Sequence, residues 1–344
     1  QYFLVSQTWK VLAENVLLKR WKCKLFEACL SGKTKIVQLL LEHYKSEDIG
    51  LNARNEYEDT VFICACAKGY TDIAKLLLDF SDRNIELNAR NNHGHTAFIR
   101  ACSIGHTDIV KLLLDFSDRN IDLNAITNLG RTALMLACFN GRENVVKLLL
   151  DNSDIDLNAR ANHELTALMF ACANGHKNVV KLLLANSDIE VNFRSSQGKT
   201  AFAMACDYGH KDIVELLLEN SDIEVNARTN EGYTAFAMAC HKGHKDVVEL
   251  LLENSDIEVN AISNVGTTAL MMACANGHKD IVLLMEHSDK EFEVNAKTIN
   301  GWTAFMFACA NGRKEVVQLL LKYSEINFDT TGLDLSEEMK DIIN

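Results

Sequence analysis

Gly198-Lys199-Thr200 and Gly32-Lys33-Thr34 end like a phosphate-binding loop, in which backbone N–H groups cradle phosphates and a lysine neutralises them. Such a loop needs another glycine five residues before the Gly of the Gly-Lys pair. Phe193 and Glu27 stand there, so both segments fail. His93-Gly94-His95, with His106 nearby, offers imidazoles to a metal, but no zinc-ligand spacing recurs. Cys64-Ala65-Cys66 is the one close cysteine pair, and a helical count turns Cys66 inward and Cys64 toward an open face, which excludes a dithiol couple. No nucleophile elbow, Ser-His-Asp order or paired-carboxylate pocket stands out. Cys29, Cys66, Cys102, Cys138, Cys172, Cys206, Cys240, Cys274 and Cys309 instead recur at one place in a repeated unit. A residue that recurs at the same place serves a scaffold, whereas catalysis needs something unique. No catalytic, cofactor or metal residue is expected, and the chain reads as a non-enzyme.

The unit that positions these residues is plain. Thr60, Thr96, Thr132, Thr166, Thr200, Thr234, Thr268 and Thr303 mark it, at steps of 36, 36, 34, 34, 34, 34 and 35 residues. Lys24-Leu25-Phe26-Glu27-Ala28-Cys29 is an earlier copy without the threonine, which makes nine. In the copy from Thr234, the threonine suits a helix N-cap and a short helix runs through Cys240. Gly243 permits the left-handed turn that ends it. A second helix carries Val247, Val248, Leu250, Leu251 and Leu252 at helical spacing. The chain then extends to a turn at Asn264-Val265-Gly266. No unit buries its apolar faces alone, so neighbours must stack. His106, His176, His210, His244 and His278 follow the turn glycine and read as structural.

Composition narrows the partners. The chain has 344 residues, 48% of them hydrophobic, and a formal net charge of −12. A protein that grips phosphates needs a basic face, so this balance argues against nucleic acid and anionic membranes and favours neutral or basic proteins. Charge interrupts every apolar stretch well short of the about 20 residues that span a bilayer, and the first residues lack a secretory signal pattern. Stacked helices sit about 8–10 Å apart, too far for the about 7 Å Cα limit of a disulfide. The recurring cysteines therefore read as buried thiols, which suit a reducing compartment, the cytoplasm or nucleus.

"GHTAFIRACSIGHTDIVKLLLD" from Gly94, "GYTAFAMACHKGHKDVVELLLE" from Gly232 and their sister copies resemble the ankyrin repeat family. The resemblance covers about residues 24–344. It implies an all-α ankyrin-repeat solenoid of nine repeats, each a helix-turn-helix with a β-hairpin-like loop, binding a protein partner in a concave groove. Repeats would occupy 24–326 and a degenerate capping repeat 327–344, with Leu333, Leu335, Met339, Ile342 and Ile343 covering the last unit. There are departures. The chain contains no proline, and the opening Thr-Pro-Leu-His of the family reads Thr-Ala-Leu/Phe-Met/Ala/Ile. Asn152, Asn186, Asn220 and Asn254 stand where the family often has glycine, and a left-handed conformation is expected of them. Ser-Asp-Arg-Asn segments at Ser81 and Ser117 lengthen two loops. The eighth unit, Ile281-Val282-Leu283-Leu284-Met285, looks one residue short, which predicts a local distortion.

Residues 1–23 do not follow the repeat. Leu4, Val5, Ser6, Trp9, Lys10, Leu12, Ala13, Leu17 and Trp21 resemble the last part of an F-box. That resemblance implies a ubiquitin-ligase adaptor that docks a Skp-type subunit while the repeats hold the target. The alternative is an N-terminal helical cap on the first repeat.

Helical geometry selects the groove residues. With Phe236 at the core, steps of 100° bring Ala239 and Cys240 inward and put Met238 at about 200° and Lys242 at about 240°, on the opposite side. The Met238 position repeats as Arg100, Leu136, Phe170, Met204, Met272 and Phe307, a mostly apolar stripe. Exposed apolar surface usually marks a binding site. The Lys242 position carries Tyr208, and the residues after the tip glycine include Arg131, Tyr233 and Trp302. Arg, Tyr and Trp dominate interface energies, so these are the expected hot spots. Homotypic assembly through the stripe is a further reading. The alternative to binding is that hairpins and neighbouring helices cover it.

Overall fold

Threonine opens and glycine closes the first helix of each copy. The hydroxyl of Thr234 accepts the N–H of Ala237 at 3.3 Å, and Gly243, at φ 82°, donates its N–H to the carbonyl of Ala239. The threonine bond recurs at Thr60, Thr96, Thr132, Thr166, Thr200, Thr268 and Thr303. Each such cap contributes about 1 kcal/mol.

The computed structural model describes residues 24–43, 50–80, 85–116, 120–322, 326–327, 330, 333 and 335–343. The chain divides into two units, Gln1–Asn162 and His163–Asn344. Unit 1 contains a helical segment at 24–30 and then α1 (Thr34–His43), α2 (Val61–Lys68), α3 (Thr71–Asp79), α4 (Ala97–Ile104), α5 (Thr107–Asp115), α6 (Ala133–Phe139) and α7 (Glu143–Leu150). Unit 2 contains α8 (Ala167–Ala173), α9 (Lys177–Leu184), α10 (Ala201–Tyr208), α11 (Lys211–Leu218), α12 (Ala235–Lys242), α13 (Lys245–Glu253), α14 (Ala269–Asn276), α15 (Lys279–Glu286), α16 (Ala304–Ala310), α17 (Lys314–Leu320) and α18 (Glu337–Ile343). Within each unit these helices form the all-α stack of repeated pairs. First helix packs on first helix, α2 on α4 on α6 and α8 through α16 by even numbers, and second helices stack likewise beneath them.

Burial follows the periodicity. In α13 Val247, Val248 and Leu251 are buried, and the same three positions are buried in α5, α7, α9, α11 and α15. The first helices are packed on nearly all sides: Ala235 through Cys240 are all buried. Each fully buried Val, Leu or Phe contributes about 1.5–3 kcal/mol. The ten described cysteines are buried free thiols. Desolvation pushes Cys29 up to about 12 and Cys309 up to about 11, far from a reactive thiolate. Cys64 is buried too, not open as the helical count had it, and desolvation raises it to about 12.

Neighbouring copies are also tied by polar bonds. One backbone N–H of each tip reaches the tip before it. In unit 1 these are Asn92 to Tyr57, Asn128 to His93 and Asn162 to Leu129, and in unit 2 Ser196 to His163, Asn230 to Gln197, Asn264 to Glu231 and Ile299 to Val265, at 2.9–3.1 Å. The histidine after the turn glycine does the same for the helices. His106 Nε2 meets the Ala67 carbonyl at 3.1 Å, His210 that of Ala173 at 3.2 Å, His244 that of Asp207 at 2.9 Å and His278 that of His241 at 3.0 Å. Where arginine replaces histidine, Arg142 Nε reaches Ser103 O and Arg313 Nε reaches Ala275 O. These side chains restore a cross-copy tie although the family's opening histidine is missing.

Three expectations change. Asn152, Asn186, Asn220 and Asn254 are not left-handed; positive φ outside glycine occurs, among the described residues, at Glu58, Asn120, His163 and Glu164. Each of the four asparagines instead accepts the N–H two residues on through its side-chain oxygen, at 2.9–3.0 Å. Asparagine competes for local backbone donors in this way, and the turn closes without φ above zero. The eighth unit keeps a full second helix, α15, with Ile281, Val282 and Met285 buried. The irregularity falls in the following loop, where Lys290 Nζ donates to the carbonyls of Asn254 and Ser255, both at 2.9 Å. The tips pair only through turn bonds, and among the described residues the sole β pairing is an isolated bridge between Arg54 and Thr60. The lengthened loops at 81–84 and 117–119 and the F-box-like segment 1–23 lie outside the described residues. At the other end α18 packs on α17 and buries Met339.

Candidate binding face

The expected stripe is present in the fold but is not open surface. Leu136 in unit 1 and Phe170, Met204 and Met238 in unit 2 are only 6–9% exposed. Met272, Phe307 and Arg100 are half-buried. Helical angle alone had put these side chains outward. A tip side chain lies over one of them: the rings of Trp302 and Phe307 are 5.1 Å apart. Beside the stripe, the Arg131 guanidinium sits 5.2 Å from the ring of Phe139, the residue after the recurring cysteine, a cation–π contact. The asparagines at the second groove position fold back too, with Asn140, Asn174 and Asn311 each donating to a carbonyl of their own helix at 2.8 Å.

What is accessible lies at the rim and in one recess. Tyr208 is 59% exposed, and its ring stacks at 6.5 Å on His210. In unit 2 a cavity of about 530 Å³ opens between the tips and the first helices α10, α12 and α14; Tyr233, Met238 and Met272 line it with Lys199, Asp207, His241 and Lys242. Thus three of the residues expected from sequence meet at one recess. Arg100, Arg131 and Leu136 belong to unit 1 and do not contribute to it. Lys199 Nζ reaches Asp207 Oδ2 at 2.8 Å, and both side chains are largely covered. Burial first, then the neighbouring Lys242, lowers the His241 imidazole below its usual range.

Asp207 and His241 were missed by the sequence reading. Both directly follow the recurring cysteine. The same position carries Ala67, Ser103, Phe139, Ala173 and Ala275 elsewhere, so a charged or titratable residue there was a visible signal. In unit 1 the tip residue His95 keeps Nδ1 buried without a hydrogen-bond partner. Desolvation, then Arg100 and His93, lower it to about 4, so it is neutral in the fold.

Among the described residues no group of three or more His, Cys, Asp or Glu side chains could hold a metal ion. None of the described helices is long and apolar enough to cross a membrane. Two family models match the chain. The one described as ankyrin repeats (3 copies) covers residues 13–91, 83–161, 159–229 and 221–298. The one described as ankyrin repeats (many copies) covers 282–321. No curated protein matches the chain.

Proposed function

The chain belongs to the ankyrin repeat family, a non-catalytic scaffold fold, and on that premise we propose that it binds a protein partner on the face built from first helices and tips. The observation that carries this is the unit 2 cavity. Its lining comes from positions that change type between copies, Lys199 and Tyr233 at the tips and Asp207 and His241 after the cysteine. The core positions beside them repeat almost unchanged. Varied surface on a fixed scaffold is how stacked repeats acquire specificity. Met238 and Met272 serve as floor rather than as open contacts.

In the same reading nine repeats over 24–326 form the scaffold, 327–344 cover its end, and the buried thiols favour a reducing compartment, the cytoplasm or nucleus. No observation favours the ubiquitin-ligase adaptor: residues 1–23 lie outside the described residues, and the ankyrin match begins inside that segment, at residue 13. Homotypic assembly through the stripe loses its basis, because most of the stripe is covered.

Affinity capture tests the reading. The full chain is compared with Tyr208→Ala, Tyr233→Ala and Trp302→Ala variants whose helical circular dichroism matches the parent. Loss of a captured protein on Tyr208→Ala or Tyr233→Ala is expected. Equal recovery of every protein by all three variants refutes the proposed face.

A further inference from the structure

The unit 2 cavity has an uneven supply of polar partners. Asp207 is already satisfied: Lys199 holds its carboxylate at 2.8 Å, and its backbone carbonyl takes His244 Nε2 at 2.9 Å. Lys242, at the end of α12, is exposed and has no hydrogen-bond or ion-pair partner among the described residues. The amide of Asn276 donates to the Met272 carbonyl at 2.9 Å and to His241 Nδ1 at 3.0 Å. An Nδ1 that accepts leaves the proton on Nε2, and that N–H has no partner among the described residues either. Two free donors, one of them cationic, therefore share a recess with the thioethers of Met238 and Met272 and the ring of Tyr233. Glu231, at the tip, is the lining carboxylate without a described partner. A recess of about 530 Å³ falls within the roughly 300–1,000 Å³ of small-ligand pockets, so it holds a few side chains and not a folded element.

We propose that this cavity receives a peptide segment of the partner in which an apolar side chain stands beside a carboxylate. The carboxylate docks on Lys242 and His241, and the apolar side chain rests on Met238 and Met272. This assignment rests on the scaffold reading above and adds the chemistry of the ligand. Methionine gives an adaptable apolar floor, and a carboxylate would replace water on the exposed Lys242 ammonium and His241 Nε2–H with charge-assisted hydrogen bonds. The assignment carries a pH dependence with a fixed sign. Burial, Lys242 and His278 disfavour the imidazolium of His241, while Asp207 favours it. A docked carboxylate adds a second favourable charge, so proton uptake, although it costs the Asn276 bond to Nδ1, is favoured by binding, and binding tightens as pH falls.

Selection of random short peptides displayed on phage, with the intact chain as bait, tests this. Enriched sequences should share an Asp or Glu next to Leu, Ile, Met or Phe. A synthetic copy of the leading peptide should lose about tenfold in affinity when its acid becomes the amide, and as much against Lys242→Glu. Glu231→Gln should bind it more tightly, and the wild type should bind it more tightly at lower pH. Enriched peptides that lack an acid, or no enrichment, overturn the assignment. So does equal affinity for Lys242→Glu, but peptides that bind that variant equally and still depend on Tyr208 or Trp302 leave the scaffold reading intact.

Discussion

Each copy turns twice, and the two turns treat glycine differently. The turn between paired helices carries glycine in every described copy, from Gly32 and Gly69 to Gly277 and Gly312, always at positive φ. The hairpin tip carries glycine in most copies, but Glu58 and Glu164 occupy the same position at φ 61° and 58°. At the helix turn the next copy supplies a wedge. A Cβ on Gly243 would lie 2.6 Å from the His278 ring, and one on Gly209 2.5 Å from that of His244. The ring cannot retreat, because it is tied to a carbonyl of the helix that ends there. At the tip the obstacle is backbone: a Cβ on Gly94, Gly198 or Gly232 would lie 2.7 Å from the backbone nitrogen of Asn128, Asn230 or Asn264 in the next copy, whereas at Gly301 nothing lies within 4 Å. A helix turn is thus pressed by a side chain of the next copy, whereas a tip is pressed by the backbone of the next tip, and Gly301 is a tip free of that pressure.

Substitutions can break or sharpen that contrast, read as shifts in urea unfolding followed by circular dichroism. Gly243→Ala combines left-handed strain with overlap on His278 and should destabilise by about 3 kcal/mol. Gly301→Ala has the strain without the overlap, and about 1 kcal/mol is expected. His278→Ala removes one cross-copy bond at a cost of about 1 kcal/mol. Combined with Gly243→Ala it should cost less than the sum, because the obstructing ring is gone; strict additivity would break the wedge argument. The smallest effect is a gain: Glu58→Gly relieves a strained φ and should stabilise by about 0.5 kcal/mol, since its exposed contact to Arg54 at 3.5 Å contributes little. A loss there would show that the tip is not strained.

What is local was legible in the sequence. The threonine caps, the turn glycines and the buried second-helix triads follow from short-range rules, and the structure reproduces them. The exposure of the stripe was not legible: Leu136, Phe170, Met204 and Met238 are buried. An angle around one helix axis says nothing about the tip that leads into the helix, and Trp302, five residues before Phe307, is such a cover. Asn152 and its counterparts failed for a related reason: the residue type allowed two turn geometries, and the N–H two residues on decided between them. The recess needed Lys199, Asp207, His241 and Met272 from three copies together, a juxtaposition that periodicity alone does not supply.

Amide hydrogen exchange on the full chain, with and without a captured partner, tests the proposed binding face most directly. Partner-dependent protection is expected at tips 196–199 and 229–233 and at the C-terminal ends of α10 and α12. Protection confined to the second helices α11, α13 and α15 would contradict it.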